Sequence, residues 1–197
     1  MAKRKVVKLP TILTEDQVQA LLNWFQEHTK TGYRNKTLFL LLVRSAMRIS
    51  EALDAKFEDL IVTTNRNGEE AIFYRLQKSK NGRQADIPIS RDTYDRFIEL
   101  SKLFGSRQHG FIFRTVRSNK RMADSYFRKV GLSLGASLGF HFSPHMLRHY
   151  TLSTIYAKTQ DIKIVQKTAR HTSITSSEVY VHVQPEAVRD ATDLIGF

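Results

Sequence analysis

The sequence predicts a single α+β domain, mostly helical, with a small three-stranded antiparallel sheet. Three observations carry that expectation. Apolar residues recur at helical spacing through most of the chain, as in Val18, Leu21, Leu22 and Phe25. β-rich runs are confined to residues 57–89 and are separated by the turn sequences Asn65-Arg66-Asn67-Gly68 and Lys80-Asn81-Gly82-Arg83. The 197 residues hold no internal repeat, low-complexity tract or evident linker, and that length suffices for one good core.

Residues 1–13 form a basic arm carrying Lys3, Arg4, Lys5 and Lys8, and the single domain spans 14–197. Thr14-Glu15-Asp16-Gln17 has the form of a capping box, which starts an amphipathic helix over 15–28. Gly32 separates it from a second helix, about 35–47, apolar nearly all round and therefore central. Strands are expected over 57–64, 71–77 and up to Ile89. Ser90-Arg91-Asp92-Thr93 opens a helix that ends near Gly105, and Phe111-Ile112-Phe113 is a short buried run. A helix over 119–134 turns Met122, Tyr126, Phe127 and Val130 inward and presents Lys120, Arg121, Arg128 and Lys129. Gly131, Gly135 and Gly139 make 131–142 a loop. Ser143-Pro144 then starts a helix to about Lys158, with a hydroxyl N-cap and proline at N1. Thr175-Ser176-Ser177-Glu178 reads as a second capping box, and Pro185 breaks the helix that it opens. In the tail, 184–197, Ala187, Val188, Ala191, Leu194 and Ile195 share a stripe that packs on its own core or docks on a neighbouring protomer.

The formal net charge of +12 favours a polyanionic partner, nucleic acid first. The absence of cysteine excludes a disulfide framework and a thiolate metal site. No run of 18 apolar residues predicts a membrane span, and the N-terminus lacks the apolar core of a secretory signal, so a cytoplasmic place is expected.

Chemistry concentrates in residues 143–182. His145 and Arg148 are three apart and share a helix face near a positive helix N-terminus, where an anion is favoured. Tyr180 lies nine residues after His171. A tyrosine attacks phosphorus if a base takes its proton and cations hold the phosphate. Upstream, Arg48 and Glu51 lie three apart at a helix-to-helix turn, a carboxylate-backed fork for phosphate oxygens.

These boxes, Ser45-Ala46-Met47-Arg48-Ile49-Ser50-Glu51-Ala52-Leu53, the Lys80 turn, HxxR at 145–148, His171 and Tyr180, closely resemble the catalytic domain of the tyrosine recombinase (phage integrase) family, in the family's order over roughly 45–182. Three positions depart from the family pattern. Ser45-Ala46 replaces Thr-Gly, and Arg170 precedes His171 where glycine is common. The resemblance implies that fold, and a site of Arg48, Lys80, His145, Arg148, His171 and Tyr180 with Glu51 supporting Arg48. It implies that the arginines clamp a DNA phosphate, that His145 accepts the tyrosine proton and that His171 donates to a phosphate oxygen. Tyr180 then forms a 3′-phosphotyrosyl bond while Lys80, with Lys78 as the alternative, protonates the leaving 5′ oxygen. No metal, nucleotide or other cofactor is required. Lys3, Arg4, Lys5, Lys78, Arg83, Lys120, Arg121, Arg128 and Arg170 are candidate DNA-backbone contacts. His149 is expected to face a carbonyl or a core neighbour, outside the catalytic set.

The implied partners are double-stranded DNA, further protomers (a tetramer on synapsed sites) and accessory DNA-bending proteins, with no membrane partner. Three rival readings stand beside this one. His141, His145 and His149 recur at a spacing suited to zinc, although Pro144 divides them and no HExxH glutamate is present. The fold also suits a DNA-binding module without catalysis, or a type IB topoisomerase-like DNA relaxing enzyme. Because a capped helix of the catalytic domain already begins at 14, the separate core-binding domain of typical integrases is expected to be missing.

Overall fold

The computed structural model describes residues 11–64, 66–77, 84–105, 109–118 and 120–181. Lys3, Arg4, Lys5, Lys78, Lys80, Arg83 and the tail 184–197 lie outside the described residues.

The expected class is what forms: a mostly helical α+β fold with one three-stranded antiparallel sheet. Helix α1 (Glu15–Trp24) opens on the Thr14 capping box, in which the Thr14 hydroxyl accepts from the Gln17 N–H and the Gln17 side chain accepts from the Thr14 N–H. It stops four residues short of the expected end because Phe25 turns extended. Leu13, in the expected arm, is buried in the core. Helix α2 (Lys30–Ser45) starts at the Thr29 cap, earlier than expected, and Gly32 lies inside its first turn. A Cβ at Gly32 would sit 1.9 Å from the Gln26 carbonyl oxygen, so the glycine serves a close approach rather than a break. As its composition requires, α2 is central: Leu38, Phe39, Leu41 and Leu42 are buried, and it packs on α4 and α6.

After the short α3 (Ile49–Leu53), strands β1 (Leu60–Thr64), β2 (Glu70–Leu76) and β3 (Ala85–Pro88) form the sheet in chain order. Tyr74 lies between Leu60 and Ile87 in the register, and Ile72, Tyr74, Leu76 and Ile87 are buried on the inner face. Residues 57–59, expected as strand, form a 3-10 turn before β1. Helix α4 (Arg91–Leu103) is capped by Ser90.

Helix α5 (Asp124–Leu138) corrects the expected boundaries. It begins five residues later and runs through the segment read as a loop. Gly131 and Gly135 are interior, and a Cβ at Gly135 would lie 2.5 Å from the Phe140 carbonyl oxygen. The chain therefore uses glycine there to let the returning 140–142 segment press against the helix. Gly139, at φ +76, supplies the left-handed cap.

Helix α6 (Pro144–Thr159) has proline at N1 as expected, though the Ser143 hydroxyl makes no capping bond. Helix α7 (Ile162–Ala169) packs on α6, and the short α8 (Thr175–Glu178) packs on α7. The second expected capping box does not form, because Ile174 is the cap residue and is itself helical. No described helix is long and apolar enough to cross a membrane.

A small second core joins the end of α2 to α6 and α7. It is made of Ala46, Leu152, Val165, Ala169 and Tyr180, with Ile155, Tyr156 and Val179 packed against it.

Candidate active site

The C-terminal ends of α2 and α7 meet at Arg148. The last carbonyls of a helix have no partner within it and carry partial negative charge. Arg148 supplies that partner twice. Its guanidinium donates from Nη1 to the carbonyl of Ala46, the residue capping α2, and from Nη2 to the carbonyl of Ala169, the last residue of α7, at 2.6 Å. Arg148 shares a helix face with the exposed His145, yet the residue is only 6% exposed, and these two bonds make that burial tolerable. Burial, with the charges of Arg48 and Arg170, still lowers its pKa to about 10, so it remains a cation at neutral pH.

Both flanking turns are left-handed. Ala46 has φ +50 and Arg170 has φ +56. These are the two positions at which the sequence departs from the family's glycine, and the backbone explains the preference: glycine enters that region without the Cβ penalty. Arg170 offsets part of the cost with its side chain. Its Nη2 donates to Glu51 Oε2 at 2.7 Å and its Nη1 to the Thr168 carbonyl at 3.1 Å. Arg170 was a candidate DNA contact. Its side chain is only 11% exposed, and Nη1 and Nη2 both meet acceptors within the protein.

Glu51 gathers three donors. Besides Arg170 it accepts the Arg48 backbone N–H at 2.8 Å and the Arg48 guanidinium at 2.7 Å. Burial alone would raise its pKa, but the Arg170 charge and the Arg48 hydrogen bonds outweigh it and hold the carboxyl below its usual range. Arg48 is thereby fixed at the start of α3 with about a quarter of its side chain open, at 23%.

His171 follows Arg170. Its Nε2 lies 3.4 Å from Arg148 Nη2, and its Nδ1 lies 3.0 Å from the hydroxyl of Ser177, which is fully buried. A guanidinium only donates, so Nε2 is the accepting nitrogen and Nδ1 carries the proton toward Ser177. Burial and the charges of Arg148, Arg48 and Arg170 lower its pKa to about 4.

Tyr180 is 3% exposed, and its hydroxyl lies 3.0 Å from His149 Nδ1. The pair is His149 rather than His145, which is exposed one turn earlier on α6. Burial raises the phenol's pKa, with Arg148 pulling the other way. Arg48, Arg148, His171 and Tyr180 therefore surround one region, and each of Arg48, Arg170 and Tyr180 acts on the ionisation of Arg148. His149 faces a core neighbour as expected, but that the neighbour is Tyr180, that Ser177 orients His171 and that Arg170 pairs with Glu51 were not foreseen from sequence. The one signal available for His149 was its position one turn beyond His145 on the same helix.

Of the other candidate DNA contacts, Lys120 and Arg128 are exposed, while Arg121 is engaged by Asp54 at 2.5 Å and Asp124 at 2.8 Å. Among the described residues no group of three or more His, Asp or Glu side chains is placed to hold a metal ion.

A profile of the phage integrase family matches residues 11–187. The chain belongs to the phage integrase family. Among its relatives, tyrosine recombinase XerA of Pyrococcus horikoshii is 26% identical over 189 residues, covering 94% of this chain and 61% of the relative. Tyrosine recombinase XerD of Oceanobacillus iheyensis is 27% identical over 195 residues, covering 95% of this chain and 62% of the relative. The chain thus spans about three fifths of the length of these curated relatives. The fold is that of XerH site-specific recombinase in its post-cleavage complex with palindromic difH substrate (TM-score 0.75, 22% identity, 94% of this chain and 53% of that one). It is also that of XerA recombinase (TM-score 0.70, 18% identity, 100% of this chain and 68% of that one).

Proposed function

We propose that this phage integrase family chain is the catalytic domain of a site-specific DNA recombinase, which cuts and rejoins double-stranded DNA through a 3′-phosphotyrosyl intermediate. The observation that carries this reading is the convergence of Arg48, Arg148, His171 and Tyr180 on one cationic region held by Glu51. Family membership and recombinase relatives support it.

In this reading Arg48 and Arg148 hold the non-bridging oxygens of the scissile phosphate and stabilise the charge of the pentavalent transition state. The phosphate's negative charge opposes the cations that depress the His171 pKa, so His171 takes a proton and donates to an oxygen. The Tyr180 oxygen forms a bond to phosphorus and gives its proton to His145, while the phosphorus–5′ oxygen bond breaks and Lys80 protonates the leaving oxygen. Attack by a 5′ hydroxyl reverses these transfers, so the phosphodiester is re-formed without oxidation, reduction or nucleotide hydrolysis. Recombination joins two duplexes, so further protomers, and DNA-bending proteins that bring sites together, are the proposed partners.

The test is a pool of nicked duplexes with randomised core sequence. Wild-type protein should yield a covalent protein–DNA adduct stable to detergent, and Tyr180→Phe should yield none. Binding of the pool without any adduct would favour a silent DNA-binding module, and relaxation of supercoils without sequence preference would favour a topoisomerase-like enzyme.

A further inference from the structure

The Tyr180 phenol is not presented to solvent. Its ring fills the small core beside Ala46, Leu152, Val165 and Ala169, and only 3% of the residue is exposed. The ring as packed leaves little of the residue open to a phosphate on a DNA duplex. The polar end of the ring is met by His149 Nδ1 at 3.0 Å, with the two ring centroids 5.8 Å apart. His149 is half-buried on α6, directly after Arg148 and one turn after His145.

We propose that His149 is a positioning residue that docks Tyr180 in the resting protein through Nδ1, in a state the tyrosine leaves to reach a phosphate. This rests on Tyr180 being the nucleophile.

Two observations separate docking from activation. The ordinary pKa values of a phenol and an imidazole differ by about 3.5 pH units, which favours the neutral pair by roughly three thousandfold. The site widens that gap. Burial, with the charges of His145 and Arg148, lowers the imidazole, and burial raises the phenol. The proton therefore stays on oxygen, and the neutral imidazole accepts it through Nδ1, with Nε2 carrying the ring's own hydrogen. The contact satisfies a buried hydroxyl that would otherwise oppose packing of the ring. It does not generate a phenolate.

The experiment uses the whole chain labelled with 3-fluorotyrosine. The seven tyrosines give fluorine resonances, and the one lost in Tyr180→Phe identifies residue 180. In wild type that resonance should lie away from the position of the same ring in unfolded chain, and its phenol should titrate above it. His149→Leu, which keeps an apolar side chain without an acceptor, should move the resonance and its titration to the unfolded-chain values. His149→Asn places an amide oxygen near the Nδ1 position and should keep both at wild-type values. A resonance unchanged by either variant, or moved equally by both, would overturn the role of the acceptor atom. Absence of a covalent adduct between wild-type protein and the nicked duplex pool would instead overturn Tyr180 as nucleophile, and is told apart because the fluorine result needs no DNA.

Discussion

The guanidinium of Arg170 lies 2.7 Å from the carboxylate of Glu51 across 119 positions of sequence. That contact ties the turn after α7 to the start of α3 and so fixes Arg48, which shares the same carboxylate. Arg170 reaches it from a left-handed backbone that glycine would adopt more readily. Arg170→Ala should lower unfolding free energy by about 1–3 kcal/mol, because a buried carboxylate loses one donor. Arg170→Gly should lose about 1 kcal/mol less, because it sheds the Cβ strain. Urea denaturation of the two variants tests the order. An alanine variant as stable as the glycine variant would show that the strain is absent.

Stability should fall on mild acidification. His171 and His149 are held neutral in the fold, with His171 lowered from an ordinary 6.5 to about 4. Between those values the unfolded chain binds protons that the native state excludes. The His171 contribution is therefore fully present above about pH 6.5 and is lost as pH falls toward about 4, and His149 acts in the same direction. Glu51, lowered in the fold, adds to the loss below the ordinary carboxylate range. The urea midpoint should drop between about pH 7 and about pH 5, and His171→Gln should flatten that drop. A wild-type midpoint constant over this interval would be inconsistent with neutral burial.

Arg148→Lys should reduce the rate of covalent adduct formation by about 10²–10³-fold, the usual cost of removing one preorganised donor from a transition state. An ammonium cannot span the Ala46 and Ala169 carbonyls as a planar fork does. The variant should also unfold at lower urea. Single-turnover kinetics on the nicked pool would show whether the defect lies in the chemical step or in binding.

Gly135→Ala should destabilise the fold by about 1–3 kcal/mol despite alanine's better helix propensity. The added Cβ would lie 2.5 Å from a backbone carbonyl, which cannot swing aside as a side chain would. A stabilised alanine variant, by thermal or urea melting, would contradict the close approach of α5 and the 140–142 segment.

How much of the fold and site was legible in sequence depends on the range of each interaction. The Thr14 capping box and the central burial of α2 are local, and residues 14–17 and 38–42 announce them. Arg48 and Glu51 are three apart, so their pairing is a matter of helix geometry. The glycines of α5 misled because their use is a contact with residues 140–142, which only the folded chain brings near. Arg170 was a candidate DNA contact, because nothing nearby in sequence announces a carboxylate 119 positions earlier. His149 was expected to face a carbonyl or a core neighbour, and which neighbour it is could not be read locally, because the Tyr180 hydroxyl arrives from a segment 31 positions on.

Tyr180 is packed as a structural side chain although its oxygen is the proposed reactive atom. With Tyr180 as the proposed nucleophile, docked as proposed, each turnover would begin with a local opening whose free energy adds to the chemical barrier. Substitutions at Leu152 or Val165 that grip the ring more firmly would yield a hardier but slower protein, and looser ones a quicker and frailer protein. Durability and speed are set against each other at this one seam, in the aliphatic residues around the ring rather than in the charged groups.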